Sequence, residues 1–370
     1  MSTFKVNKKF AAQWGLQHPA IIQAPMAGGI TTPELVSAVS NAGGLGSFAT
    51  GYLTTEAASL GIKAIKVKTS RPFAVNLFVP SEIPVEPEKL QAFQKQLNVY
   101  REQLGLPQED ISAIPTLPKD NHAELIDLVI AEDVKIVSFT FGNLSTKNIQ
   151  LLKSKGVYLI GTATAVEEAV ILEQAGIDAV IAQGYEAGGH RGGFATPSSY
   201  ALTGTMSFVA AVVDKVHCPV IAAGGIMDAR GVVAALALGA AAVQMGTAFL
   251  TVEESGANPL YKRGLEAARK TSQDPTALTL SYSGKWARAI ETQFMRDRKK
   301  DLFPAYPFPH YMTAPIRKEA VKQGKPEFTS MWCGQGINID TASKTAAELL
   351  EKIYRETKEI SAALAQESKS

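Results

Sequence analysis

Residues 181–193, with the sequence IAQGYEAGGHRGG, join a short apolar segment to a loop rich in glycine and charge. The apolar part, from Asp178 to Gln183, predicts a buried strand. Four glycines in the second half allow positive φ angles and a close approach of the backbone to a ligand. His190 and Arg191 are the polar side chains that such a loop would present. A surface turn with an ordinary histidine is the alternative, but two later strand–glycine loops favour one shared site.

The same strand–loop–helix arrangement recurs along the chain. Ala20–Gln23 is followed by APMAGG and then by a predicted helix, with Thr32 as its N-cap and Pro33 at its first position. Further strands are predicted at Leu45–Phe48, Phe73–Val79, Lys135–Phe139, Val157–Ile160, Asp178–Ala182, Val220–Ala223 and Ala242–Met245. Continuous runs of Val, Ile and Ala are typical of parallel strands that helices cover on both faces.

Eight such units in this length predict an α/β fold of the (β/α)8 type, a TIM barrel. An open, doubly wound sheet is the alternative, but no G-x-G-x-x-G sequence follows the first strand. Two segments interrupt the repeat: an insertion at about 80–119, predicted to be a lid, and a cap of residues 251–330 between the eighth strand and the eighth helix. The barrel would then comprise residues 1–250 and 331–370.

Inside the cap we predict helices at Pro259–Lys270 and Ala287–Arg298, followed by the proline-rich segment Phe303–Pro315. The eighth barrel helix is predicted at Ala342–Ala363, where apolar residues recur at helical spacing.

Composition excludes several classes of function. The net charge is only +2 and the basic residues are scattered, which argues against a nucleic-acid or membrane-surface partner. Cys218 and Cys333 are far apart and the five histidines lack ligand spacing, so we expect no disulfide framework, no metal site and a cytoplasmic location. The apolar stretch 231–252 is long enough to span a bilayer, but glycines at 239 and 246 break it, and we predict a helix, a turn and a strand. Either a monomer or a homodimer is compatible with the sequence.

In a barrel of this kind the chemical groups lie on loops that leave the C-terminal ends of the strands. The seventh strand ends in AGGI at 223–226 and the eighth in QMGT at 244–247. Two glycine-rich loops in these places predict a phosphate site built from backbone N–H groups, although each glycine could serve only a tight turn. Amide side chains near strand ends suit the edge of a heterocycle such as a flavin, although each could be structural. These amides are Gln23, Asn76, Gln183 and Gln244.

Four motifs together resemble the nitronate monooxygenase family, formerly called 2-nitropropane dioxygenases. The motifs are QAPMAGG at 23–29, QGYEAGGHRG at 183–192, AGGI at 223–226 and QMGT at 244–247. Arg191, the inserted segment and the block YSGKWAR at 282–288 look more like the class I members. The FMN-dependent enoyl-acyl-carrier-protein reductases share the barrel and a similar Gly-Gly-His loop.

The resemblance implies a non-covalently bound FMN and a catalytic His190. Such a histidine would be the base that deprotonates carbon next to a nitro group, because its ordinary pKa of about 6.5 is near working pH, or it would only position the substrate. The positions that would contact the flavin are Met26, Ala27, Asn76, Gln183, Gly188, Gly189, Gly224, Gly225, Gln244, Met245, Gly246 and Thr247.

The implied reaction oxidises alkyl nitronates, such as propionate 3-nitronate, with O2 to a carbonyl compound and nitrite. An anionic substrate calls for hydrogen-bond donors. For each candidate, a role as a surface charge or a packing aromatic is as well supported as a substrate contact. The candidates are Tyr282, Lys285, Tyr306 and Tyr311, together with Arg191 and Arg288. Two other hypotheses stand beside this one. They are an FMN-dependent NAD(P)H reductase of enoyl thioesters or quinones, and a flavin-binding protein without turnover.

Overall fold

The computed structural model describes residues 9–196, 201–299, 301–341 and 343–367. Eight parallel strands form its central sheet, in the spatial order first, eighth, seventh, sixth, fifth, fourth, third and second. The backbone bonds from Leu45 N to Ile21 O (2.9 Å) and from Gln23 N to Leu45 O (3.0 Å) join the two ends of this order. The fold is therefore the predicted (β/α)8 barrel. Its strands are Ala20–Gln23, Gly46–Ala49, Phe73–Phe78, Ile136–Thr140, Tyr158–Ala163, Ala179–Gln183, Val220–Ala223 and Ala242–Met245.

Helices surround the barrel in sequence order. Thr32 caps the first of them by accepting a hydrogen bond from Leu35 N, and Pro33 occupies its first turn, as predicted. The eighth helix begins at Ala346; the predicted start, Ala342, lies outside the described residues. The barrel helices are Pro33–Asn41, Thr55–Lys68, His122–Ala131, Thr146–Ser154, Val166–Gln174, Thr205–Val213, Ala229–Ala237 and Ala346–Glu367. A short helix, Lys9–Gln13, precedes the first strand.

The barrel strands are buried on both faces, which explains their continuous apolar sequences. In the first strand, Ile22 packs with Leu45 and Ile136 in the barrel interior. Its neighbour Ile21 packs on the other face, with the surrounding helices. Alternate residues of a strand thus serve two cores, and neither face can tolerate a polar run.

The insertion after the third strand packs into the core of the cap. Its helix, Pro87–Gln103, buries Leu90, Phe93 and Leu97 in one apolar cluster with Phe294 and other cap residues. Insertion and cap therefore share a hydrophobic core above the barrel.

The predicted helix Ala287–Arg298 is wrong. Ala287–Ile290 is a strand and only Gln293–Asp297 is helical, with Thr292 as N-cap. The strand pairs antiparallel with Thr276–Thr279 on one side, and on the other with the two-residue strand Gly189–His190. Tertiary pairing overrides local helical propensity here, and it attaches the cap directly to the histidine loop.

The other cap elements include helix Pro259–Arg269, close to its prediction, and helix Phe308–Gln323, where the sequence showed only a proline-rich segment. Among the described residues, short 3-10 helices lie at Pro326–Phe328 in the cap and, outside it, at Thr247–Phe249 and Gln335–Asn338.

The apolar stretch 231–252 forms most of a helix, a turn and the eighth strand, as predicted, and a 3-10 helix that was not predicted follows the strand. Within the described parts of the chain, none of the helices has the length and apolar character that crossing a membrane requires.

Candidate active site

A cavity of about 450 Å³ lies at the C-terminal ends of the barrel strands, beneath the cap. The structure brings nearly all of the predicted cofactor and catalytic positions to its wall. These are Met26, Ala27, Asn76, Gln183, Gly188, Gly189, His190, Gly224, Gly225, Gln244, Gly246 and Thr247. Met245 is the exception, because its side chain is buried in the core between strands and helices.

The loops after the seventh and eighth strands form a cradle of backbone. Gly224 and Gly225 have φ angles of +116° and +70°, which L side chains rarely adopt. Thr247 adds a hydroxyl group, and its Oγ1 accepts a hydrogen bond from Gly334 N at 2.9 Å. This hydroxyl donates to no group in the described part of the chain, so its proton is available to a ligand. Such a cradle suits an anionic group like a phosphate.

Two of the four candidate amides keep hydrogen-bonding capacity towards the cavity. Asn76 donates from Nδ2 to Ser138 Oγ at 3.0 Å, and its Oδ1 accepts from no described residue. The Gln244 side chain lines the cavity and makes no hydrogen bond with the described part of the chain. Both can therefore meet the polar edge of a heterocyclic ligand.

The other two amides hold the backbone in place. Gln23 is fully buried, and its Oε1 accepts from Ser47 N at 3.1 Å. Gln183 donates from Nε2 to His190 O at 3.1 Å and accepts at Oε1 from Gly192 N at 2.9 Å. Gln183 thus holds the histidine loop by two hydrogen bonds, one at His190 and one at Gly192.

A cap residue, Ser283, shares a hydrogen bond with the imidazole of His190. The Nε2 atom lies 2.9 Å from Ser283 Oγ, which donates to Lys285 O at 3.1 Å and accepts from Lys285 N at 3.3 Å. A hydroxyl carries one proton, so when Ser283 directs that proton at the Lys285 carbonyl, Nε2 carries the hydrogen shared with Ser283. Nδ1 is then the unprotonated nitrogen of the imidazole.

Burial lowers the pKa of His190 to about 3, and the positive charges of Lys285 and Arg317 act in the same direction. The imidazole is therefore neutral at neutral pH, as a proton acceptor must be before it reacts.

Arg191 and Arg288 serve the fold and do not reach the cavity. Arg191 is fully buried and donates to the carbonyl oxygens of Gln183 (3.1 Å), Gly184 and Ala201 (3.0 Å). Arg288 donates to Tyr185 O and lies over the Tyr185 ring, 4.4 Å from its centroid. Their guanidinium groups satisfy carbonyls that the glycine-rich loop leaves without partners.

The four predicted substrate contacts lie outside the cavity lining. Tyr282 is buried in the cap core, with its hydroxyl donating to Thr329 O at 2.6 Å, and this position does not fit a substrate contact. The other three stand directly behind Tyr52 and Phe141, which do line the cavity. Lys285 Nζ lies 4.7 Å from the Phe141 ring centroid, the Tyr306 hydroxyl donates to the Tyr52 hydroxyl at 3.2 Å, and Tyr311 meets Tyr52 edge-on.

The sequence analysis did not identify two aromatic residues of the cavity lining, although the sequence contains a signal for them. Tyr52 and Phe141 follow the second and fourth strands, each beside a glycine, and so obey the rule that functional loops leave the strand ends. Both have positive φ, which non-glycine residues rarely adopt.

The cap contributes His310 and Arg317, and the segment that follows the cap contributes Trp332; the sequence offered no signal for any of the three. His310 stacks on Tyr52 with ring centroids 3.9 Å apart. Arg317 donates to Thr313 Oγ1 (3.2 Å) and His310 O (2.8 Å), and none of the ion pairs found among the described residues involves it. The guanidinium thus brings an unneutralised positive charge to the cavity. In the described chain, no three His, Cys, Asp or Glu side chains are grouped so as to hold a metal ion.

Comparison with known proteins agrees with this geometry. The family model described as nitronate monooxygenase matches residues 11–356. A probable nitronate monooxygenase of Staphylococcus saprophyticus is 43% identical over 96% of this chain and 99% of its own length. One from Staphylococcus aureus is 42% identical over 88% and 90%.

Solved structures show the same relationship. A nitroalkane oxidase from Streptomyces ansochromogenes has a TM-score of 0.88 and 37% identity, covering 95% of this chain and 99% of the other. FabK from Thermotoga maritima has a TM-score of 0.72 and 30% identity, covering 98% and 99%. With a family match over nearly its whole length, the chain belongs to the nitronate monooxygenase family of flavin-dependent oxidoreductases.

Proposed function

We propose that this enzyme binds FMN and oxidises alkyl nitronates, such as propionate 3-nitronate, with O2 to a carbonyl compound and nitrite in the cytoplasm. The observation that carries the proposal is one cavity in which the glycine cradle, a neutral His190 and the unneutralised Arg317 meet. A cradle for a phosphate, a proton acceptor and a cation for a small anion are the three functions that this reaction asks of the protein.

The residues present fit FMN. A phosphate monoester suits the backbone of Gly224 and Gly225 and the Thr247 hydroxyl, and any larger side chain at Gly224 would collide with Thr205 Oγ1, 2.7 Å from an added Cβ. The free amide groups of Asn76 and Gln244 would bind the polar edge of the ring system. When bound, FMN supplies the one-electron chemistry that links nitronate oxidation to O2.

His190 acts differently on the two ionisation states of a substrate. A neutral nitroalkane must lose a proton from the carbon next to the nitro group, and the unprotonated Nδ1 is the acceptor. Low intrinsic basicity is offset when the product is an anion held near Lys285 and Arg317, because the new positive charge on the imidazole then has a partner. A nitronate that is already ionised needs no such step.

The aromatic residues and Arg317 favour a small anion. Tyr52, Phe141 and Trp332 exclude water from one side of the cavity, which strengthens the attraction between the guanidinium and a bound anion. A second negative group, such as the carboxylate of propionate 3-nitronate, would find its counter-charge at Arg317.

The test is to mix the purified holoenzyme with propionate 3-nitronate or an alkyl nitronate under air. We expect nitrite release with matching O2 consumption, while NADPH leaves the flavin oxidised. Absence of nitrite would refute the proposal. Rapid anaerobic bleaching of the flavin by NAD(P)H would instead support the reductase alternative. A His190→Ala variant that matched the wild type with every substrate would point to a protein that binds flavin without turnover.

A further inference from the structure

Glu168 is a fully buried carboxylate, and the donors that it meets among the described residues are all neutral. It lies in the first turn of the helix that follows the fifth strand. Oε2 accepts from Thr164 N (2.7 Å) and Thr164 Oγ1 (3.0 Å). Oε1 accepts from three successive backbone N–H groups, those of Phe194 (2.6 Å), Ala195 (2.8 Å) and Thr196 (3.1 Å). Burying a charge is costly, so this carboxylate must be held by those five bonds.

The three loop N–H groups belong to the segment that begins at the catalytic histidine. Between them and His190, the carbonyl of Gly192 accepts from Phe141 N (3.0 Å) and Thr140 Oγ1 (3.2 Å). At Gly193 an added Cβ would lie 2.0 Å from Thr164 Oγ1 and under 3 Å from both carboxylate oxygens of Glu168. The segment 190–196 therefore runs in close contact with the barrel rim, with Gln183 holding one end and Glu168 the other.

We propose that Glu168 is a positioning residue for His190, holding the far end of the segment 190–196 so that the imidazole stays directed into the cavity. This inference rests on the proposed function, because it assigns Glu168 a role in that reaction. Glu168 does not itself line the cavity, so its effect must be transmitted through the loop backbone.

The charge of Glu168 adds a second contribution. Burial lowers the pKa of Lys285, and the negative charge of Glu168 opposes that shift. The carboxylate thereby helps to keep the ammonium group behind Phe141 charged.

The decisive variant is Glu168→Gln, which keeps the shape of the side chain. One end of the new amide is an NH2 group that cannot accept, so either Thr164 or the three loop N–H groups lose their acceptor. Glu173→Gln is the matched control. Glu173 lies on the same helix and accepts at Oε1 from two backbone N–H groups, those of His217 and Cys218 (2.8 Å), but this loop precedes the seventh strand at the opposite end of the barrel.

Three measurements on the holoenzymes test the role. With a neutral nitroalkane we expect kcat of Glu168→Gln to fall by about 10- to 100-fold, as for a misplaced catalytic group, with FMN affinity within about 2-fold of wild type. Trypsin should cleave the variant faster after Arg191, which is buried in the native loop. Glu173→Gln should match the wild type in all three measurements.

The proposal is overturned if the two variants lose activity equally or if Glu168→Gln is cleaved no faster than the wild type. If Glu168→Gln fails to fold, Thr164→Val is used instead, because it removes only the hydrogen bond from the Thr164 hydroxyl to the carboxylate. We then expect kcat to fall and cleavage to accelerate by about 3-fold each. No change in kcat or in cleavage would also overturn the proposal. Failure of the proposed function is distinguishable, because wild-type protein would then release no nitrite while the cleavage assay still reports on the loop.

Discussion

The two walls of the cavity present different chemical groups. The barrel wall, formed by Asn76, Gly224, Gly225, Gln244 and Thr247, offers backbone, amide and hydroxyl groups at the ends of rigid strands. The cap wall, formed by His310 and Arg317 of the cap and by Trp332 of the segment that follows it, offers rings and a positive charge. The first wall suits a nucleotide and the second a small anion, so cofactor binding and substrate choice should respond separately to mutation.

His190 stands between the two walls and should give the largest effect. It belongs to a barrel loop, yet its imidazole bonds to Ser283 of the cap. We expect His190→Asn to lower kcat/KM for a neutral nitroalkane by about 10²- to 10⁴-fold, the usual contribution of a general base. With a preformed nitronate, which needs no deprotonation, the loss should stay below about 10-fold.

Nitrite release with the two forms of one substrate measures this difference. His217→Asn is the control, because that side chain is 98% exposed. Equal losses with both forms would show that His190 positions the substrate without acting as a base.

A substitution in the barrel wall should affect the cofactor first. In Gly225→Val, a branched side chain at φ +70° would be strained, and its Cβ would lie 3.1 Å from Glu186 Cβ. Backbone strain of about 1–3 kcal/mol would displace the phosphate cradle and weaken FMN binding by about 5- to 150-fold. Flavin fluorescence titration of the apoprotein measures that affinity.

Gly176→Val tests whether strain alone is responsible. Gly176 has φ +86° and nothing within 4 Å of an added Cβ, so the variant should lose stability but keep its affinity for FMN. Equal flavin loss from the two variants would contradict a local role for Gly225.

A substitution in the cap wall should affect the substrate alone. Arg317→Met removes the positive charge and keeps most of the side-chain volume, so KM for propionate 3-nitronate should rise by about 10-fold while FMN affinity stays unchanged. Arg296→Met is the control, because Arg296 lies in the cap with its side chain 47% exposed. A fall in flavin content of Arg317→Met would show that the two walls do not act separately.

The barrel wall could be predicted from the sequence and the cap wall could not. Each barrel loop directly follows an apolar strand, so residues such as Gly225 and Gln244 are marked by their neighbours in the chain. His310 and Arg317 lie on a cap helix that contains Pro315, and Trp332 lies on a returning segment. His310 meets Tyr52 only through packing between residues more than 250 positions apart, and Trp332 meets His190 in the same way across the fold, which no local pattern reports.

The same distinction explains two errors within the YSGKWAR block. Ala287–Ile290 is a strand because it pairs with the histidine loop about 100 residues earlier. Tyr282 was a candidate substrate contact, but Thr292 and Thr329 satisfy its hydroxyl inside the cap core. The residue type shows that a side chain can donate a hydrogen bond, whereas its position in the fold decides which acceptor it meets.

The smallest expected effect is an absence of pH dependence. It concerns His190 of the barrel loop, whose pKa is also lowered by the charge of Arg317 in the cap wall. The pKa of His190 is lowered from 6.5 to about 3, so its neutral form persists throughout mildly acidic solution. In kcat/KM for a neutral nitroalkane, which reports the free enzyme, we expect no histidine inflection between about pH 5.5 and 7.5. An inflection near the ordinary histidine pKa would show that water reaches the imidazole.

Stability should depend on pH although activity does not. Between the unfolded pKa of 6.5 and the folded pKa of about 3, the unfolded chain binds a proton at this position that the folded chain excludes. The free energy of unfolding therefore falls as the pH drops through this window, and His190→Asn should flatten the slope. Arg317→Met removes one of the positive charges that disfavour the imidazolium, so it should raise the pKa of His190 and move the lower end of the window upward. If denaturant titrations at several pH values placed the lower end of the window at the same pH for Arg317→Met and wild type, the cap charge would have no influence on the histidine of the barrel loop.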